Sequence, residues 1–248
     1  KVLVDYDKYR MNKTEVLKYT AIYIGAALLI SYAFYDSLYA SAVFIPAAIL
    51  YFKQVKEELK RARRERLIRQ FKDMIDGVST AMQAGYSAEN AFRESYRDML
   101  KLYGNESLIV SELESFFAKL DTGVALELIL KDFAMRAGME DITDFAEIFT
   151  IAKRNGGDMS DIIKNTVRIM KEKEETEKEI QVILSGRKFE QKIMCIIPFG
   201  IILYLKMSGG SFIAGLYHNA VGVTVMTVCL AVMAAAYYLS RRYINIKV

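Results

Sequence analysis

Between Lys18 and Lys53 the chain reads YTAIYIGAALLISYAFYDSLYASAVFIPAAILYF, and Asp36 is its one charge. A run this apolar restricts the fold more than any other feature. As one helix it would be about 50 Å long, against a hydrocarbon core of roughly 30 Å. Two membrane spans folded at Tyr35-Asp36-Ser37 fit better, so residues 19–53 read as a transmembrane hairpin with arms of about 16 residues. Lys18 and Lys53 are placed to snorkel, and the tyrosines suit the interfacial belts. A third apolar run, IMCIIPFGIILYL, covers residues 193–205. Pro198 cannot donate to Met194 there, so a helix kink is expected at Pro198. Residues 220–239, AVGVTVMTVCLAVMAAAYYL, carry no charge and have the length of a full span. Ala231, Ala234, Ala235 and Ala236 give that span a surface for close helix packing. The sequence thus predicts about four transmembrane helices, the last two within 189–240.

Basic residues flank these runs asymmetrically. KQVKEELKRARRERLIR, starting at Lys53, holds eight of them. Arg187, Lys188 and Lys192 precede the third run, and Arg241, Arg242 and Lys247 follow the fourth. The opposite loops hold Asp36 and Lys206. The positive-inside rule then places residues 1–18, the large middle 54–188 and the tail 241–248 in the cytoplasm of a multi-pass cell-membrane protein. Residues 1–18 mix both signs of charge and the next apolar run lacks a small-residue cleavage site, so that run reads as a retained anchor.

The middle is amphipathic and helical in pattern. Leu67, Phe71, Met74, Ile75, Val78 and Met82 recur at steps of three and four. Further stripes are Ile109/Leu113/Phe116/Phe117/Leu120, Leu126/Ile129/Leu130/Phe133, Ile142/Phe145/Phe149/Ala152 and Ile163/Val167/Met170. No proline falls between Pro46 and Pro198, and no useful period-2 pattern occurs. The fold class expected is all-α: an integral membrane protein with a cytoplasmic antiparallel helical bundle.

Glycines punctuate the stripes: Gly85 with Ser87, Gly123, Gly138, and Gly156-Gly157 with Asp158. Glycine suits the left-handed residue ending a helix, and Ser87 or Asp158 can cap the next. Gly85 and Ser87, with Arg154, Asn155, Gly156 and Gly157, are candidate partner-binding turns, although capping alone also accounts for them. In KEKEETEKEIQ, residues 171–181, opposite charges four apart support an exposed helix. Lys60, Arg61, Arg63 and Arg64 are candidate contacts for membrane lipids or a cytoplasmic ATPase. Glu57, Glu58 and Glu65 interrupt that run and the net charge is only +4, so no nucleic acid is expected.

Catalytic patterns are missing from the sequence. It has no phosphate-binding G-x-x-x-x-G-K-[ST], no HExxH, no GxSxG and no Cys/His pair. His218 is the only histidine, and Cys195 and Cys229 lie in apolar runs. Glu147 follows an apolar stripe and reads as partly buried in an interhelical salt bridge. No enzyme activity, cofactor or metal is expected, so any ATP-driven work must draw on another chain.

The stretches FKDMIDGVSTAMQAGYSAENAF, AKLDTGVALELILKDFAMRAG, FAEIFTIAKRNGGDMSDIIKNTVRIM and RKFEQKIMCIIPFGI occur in that order. Over about residues 65–240 the chain resembles the type II secretion system F domain family. Within it, the chain is most similar to TadB/TadC-type platform proteins of tight-adherence (Flp) pilus assembly. Larger relatives carry the helical unit twice, whereas this sequence carries it once. The resemblance implies an inner-membrane platform that couples a secretion-type cytoplasmic ATPase to pilin or pseudopilin subunits. It also implies a paralogous F-domain partner and a homo- or hetero-oligomer. Two other classes remain open from the residues: a membrane scaffold or signalling protein whose bundle binds a soluble regulator, and a transporter subunit.

Overall fold

The structure is a computed structural model that describes residues 6, 9, 11–37, 41, 44–155, 159–208 and 219–244. Eight helices follow one another among them, with no strand: α1 (Lys13–Tyr35), α2 (Ile45–Gln83), α3 (Ala88–Tyr103), α4 (Leu108–Leu120), α5 (Leu126–Ala137), α6 (Glu140–Asn155), α7 (Met159–Ser208) and α8 (Ala220–Ile244). The chain divides into two compact units. One comprises Lys1–Arg10 and Lys56–Glu175, the other Met11–Val55 and Thr176–Val248.

The first unit is built on aromatic and aliphatic burial. The stripe Leu67, Phe71, Met74, Ile75, Val78 and Met82 turns inward along α2. Phe71 meets Phe145 edge-on at 5.5 Å and Phe133 at 6.1 Å between ring centres. Phe133 meets Phe116 at 5.5 Å, and Phe92 lies 6.2 Å from Phe149. One ring cluster therefore joins α2, α3, α4, α5 and α6. Each such pair adds about 0.5–1.5 kcal/mol beyond the area it buries. Helix α3 buries Ala91, Phe92, Ser95 and Met99 on one face. It approaches α2 closely at Gly77, where a Cβ would stand 3.0 Å from the Ser95 hydroxyl.

The turns behave as their sequences demand. Gly85 takes φ +91° after α2, and Ser87 caps α3 by accepting from the Asn90 amide at 3.4 Å. Gly138 closes α5 in the left-handed conformation and donates to the Ala134 carbonyl at 2.9 Å. Both conformations are costly for a residue with a Cβ.

The second unit has a small interior and a large apolar exterior. Ala33, Phe34 and Met226 are buried, with Ile30, Tyr35, Phe199, Ile202, Leu230 and Met233 packed around them. Helix α1 starts at Lys13 behind a capping box. The Asn12 side chain accepts from Lys13 N at 2.7 Å, and Glu15 accepts from Asn12 N at 2.8 Å. The helix thus begins six residues ahead of the apolar run. Outside the small interior, Ile24, Leu29, Met194, Ile196, Tyr204, Val221, Val232 and Tyr238 all face outward. A surface of this kind is stable in lipid rather than in water.

Among the described residues, three helices are by length and composition apolar enough to cross a membrane: α1, α7 and, in α8, Val221–Ser240. The expected second span over residues 37–52 has no helix of spanning length among the described residues. Helix α2 opens at Ile45, with Pro46 in its first turn where no amide is needed, and its apolar part ends at Phe52. That is about 12 Å of helix. Residues 38–40 and 42–43 lie outside the described residues.

Candidate functional site

Two polar constructions stand out in the first unit, and both hold helices in place rather than present reactive groups. In the first, Glu112 of α4 is 4% exposed and accepts two parallel bonds from Arg136 of α5, at 3.0 and 2.8 Å. The Tyr6 hydroxyl donates to the same carboxylate at 2.9 Å, and the Arg63 guanidinium lies 5.2 Å from the Tyr6 ring centre. Arg136 also donates to Asp132 at 3.2 Å, and Lys119 reaches Asp132 at 2.6 Å. A forked guanidinium matches a carboxylate in this geometry, which fixes the register of α4 against α5. Burial and the Glu112 charge push the Tyr6 phenol far above its ordinary pKa. Burial pushes the Asp132 carboxyl up, but Lys119 and Arg136 together hold it below its usual range.

The second construction secures α7. Ile163, Thr166, Val167 and Met170 are buried along its first turns. One turn later come three ion pairs: Lys171 with Asp76 at 2.7 Å, Lys173 with Asp141 at 2.8 Å, and Glu174 with Lys72 at 3.8 Å. Lys72 is 9% exposed and also pairs with Asp141 at 3.3 Å. Burial raises the Asp141 carboxyl, but the two lysines outweigh it and hold it below the ordinary value. Beyond this point most side chains of α7 are solvent-facing over residues 175–192. The helix continues as one element, through Pro198, to Ser208.

The residues singled out in the sequence fall in several places. Gly85 and Ser87 form the exposed α2–α3 turn. Arg154 and Asn155 end α6, while Gly156, Gly157, Asp158 and His218 lie outside the described residues. The basic run on α2 divides by role. Arg61 faces outward, Arg63 stacks over Tyr6 and also lies 6.0 Å from the Tyr9 ring centre, and Arg64 donates to the Gly138 carbonyl at the end of α5. Lys60 is half-buried and has a partner of its own. The four therefore do not form one free cationic patch. Glu147 is exposed, contrary to the expectation of partial burial. Glu112 is the carboxylate that the core encloses, and its place between Ile109 and Leu113 on an apolar stripe was the available signal.

In the second unit Asp36 and Lys206 meet each other. The Lys206 ammonium donates to Asp36 at 2.5 Å and to the Tyr32 carbonyl at 2.8 Å, and lies 3.4 Å from the Tyr32 ring centre. It thereby satisfies a last-turn carbonyl of α1 that the helix itself leaves open. Phe34 packs edge-on against Phe199 at 5.6 Å, and the Tyr35 and Thr227 hydroxyls are 3.1 Å apart. Among the described residues no group of three or more His, Cys, Asp or Glu side chains could hold a metal ion.

The fold and these constructions define a class: an all-helical protein with apolar helices of membrane-crossing length and a separate helical unit with its own core. No family model, no curated protein and no solved structure matches the chain.

Proposed function

We propose that this chain is an inner-membrane platform protein of a type IV pilus-like (Tad/Flp) or type II secretion machine. In this reading it couples a cytoplasmic ATPase to the addition of pilin or pseudopilin subunits. Residues 54–188 form a cytoplasmic antiparallel helical bundle. Four spans cross the membrane, the second within residues 37–52, and residues 1–18 and 241–248 lie on the cytoplasmic side. The platform works as a homo- or hetero-oligomer, with a related F-domain protein as one partner. It hydrolyses nothing itself, because the nucleotide chemistry belongs to the ATPase.

The observation that carries the reading is the continuity of α7. The same helix buries Ile163, Val167 and Met170 in the helical core and carries the apolar run 193–205. Its ion pairs at residues 171–174 grip one end firmly. A force applied to the bundle would then travel along an unbroken helix instead of dissipating in a loop. The ordered resemblance across residues 65–240 supports the same role.

The test is to insert a flexible Gly-rich segment at Ser185-Gly186, where a Cβ on Gly186 would meet nothing within 4 Å. Filament assembly should be lost while membrane insertion and the helical core persist. Normal piliation in that variant would refute the coupling role. Co-purification in mild detergent should recover a secretion-type ATPase, a related F-domain protein or a pilin.

A further inference from the structure

The charge-free part of α7 is short. It runs from Ile193 to Leu205 between Lys192 and Lys206, thirteen residues, or about 20 Å of helix. Its neighbour α1 is charge-free from Tyr19 to Tyr35, about 26 Å. The membrane-crossing stretch of α8, Val221–Ser240, reaches about 30 Å, the thickness of an ordinary hydrocarbon core. A lysine at a span end normally relieves such a shortfall by stretching outward. Lys206 is not free to do so. It is 15% exposed and is held by Asp36, the Tyr32 carbonyl and the Tyr32 ring. At the other end Lys192, Glu190, Lys188 and Arg187 are all exposed within two turns, and Glu190 pairs with Arg187 at 3.3 Å. A glutamate has a shorter stem than lysine and reaches the interface less well.

We infer that this protein thins the bilayer on the face formed by α1 and α7, and that this face fits lipids with shorter acyl chains than the face formed by α8. The inference rests on the reading that these helices cross a membrane. The outer edge of the thin zone is set by the Lys206–Asp36 contact, and the inner edge lies near Lys192, whose stem stretches outward by less than the roughly 10 Å shortfall of α7. A helix short of the bilayer draws the two leaflets together around it. The thin face would lower the barrier for an apolar segment of another chain, with its polar flanks, to move across the bilayer beside α7.

The full-length protein is reconstituted in phosphatidylcholines with monounsaturated chains of about 14 to about 22 carbons, and its thermal unfolding midpoint is measured in each. The wild type should be most stable in chains shorter than 18 carbons. The variant Glu190→Leu/Lys192→Leu extends the charge-free run to Phe189–Leu205, about 26 Å. Its optimum should move to chains longer by about two carbons or more. Lys192→Leu alone should move it less, and it serves if the double variant folds poorly. An optimum at 18 carbons or longer that neither substitution moves overturns the inference. A protein released from every vesicle by alkaline washing overturns the membrane reading itself, and the inference with it.

Discussion

Replacing Glu112 by Gln should unsettle the helical unit more than any surface change. The substitution keeps the shape of the side chain and removes the charge that Arg136 and Tyr6 both use. Breaking a buried ion pair by deleting one partner costs about 3–5 kcal/mol, because the remaining charge stays buried. Arg136 is 16% exposed and keeps Asp132 at 3.2 Å, which places the expected loss at the lower end, about 3 kcal/mol. For a chain of this size that corresponds to a fall of roughly 6–12 °C in Tm. Thermal unfolding followed by helical circular dichroism, in one detergent throughout, reads the effect. Glu147→Gln, at an exposed carboxylate, is the control and should stay within about 0.5 kcal/mol of wild type. The combination Tyr6→Phe, Glu112→Leu, Arg136→Met should recover much of the loss, since apolar replacement of a whole buried pair is often neutral. If Glu112→Gln matches the Glu147→Gln control, the Tyr6–Glu112–Arg136 contact does not hold α4 against α5 and the reasoning fails.

Acid should loosen α7 through Asp141. Its folded pKa is depressed, so its contribution is full above the ordinary carboxylate value of about 4 and is lost as pH falls through the folded pKa. Asp141→Asn should flatten the acid limb of the stability–pH curve and lower the plateau near neutrality; an unchanged limb would contradict this. Tyr103 acts at the other extreme: burial and its bond to Asp73 push its pKa up to about 12. Its stabilising effect is complete below about 10 and is lost as pH rises through the folded value, so Tyr103→Phe should resist alkaline unfolding better than wild type. Two glycine substitutions should have opposite signs. Gly77→Ala drives a Cβ to 3.0 Å from the Ser95 hydroxyl, which is already bonded to the Met74 carbonyl at 2.8 Å, and should cost about 1 kcal/mol despite better helix propensity. Gly186→Ala meets open space inside α7 and should gain up to about 1 kcal/mol; equal effects at both sites in chemical denaturation would argue against a close α2–α3 approach.

The local elements were legible because their causes are local. Periodic burial at Leu67, Phe71, Met74, Ile75 and Val78 needs only a helix with one apolar face, and the stops at Gly85 and Gly138 need only the freedom of glycine at positive φ. Three of the four apolar runs likewise announced helices of membrane-crossing length, since hydropathy and length are properties of the run itself, whereas the run over residues 37–52 shows no apolar helix of that length among the described residues. Three things were decided elsewhere. Tyr6 lies among short polar stretches with no periodicity, yet it is 2% exposed, because its acceptor is 106 residues away on α4. Arg63 and Arg64 read as part of a free basic run, but one covers that tyrosine and the other ends α5 at Gly138. Glu147 and Glu112 both follow apolar residues at helical spacing, and only the packing of α4 on α5 chose which carboxylate to enclose. By itself the sequence determined most of the helical stretches, their apolar faces and the turns at Gly85 and Gly138. Only the tertiary structure decided which charges meet, because ion-pair partners are fixed by distance across helices and not by order along the chain.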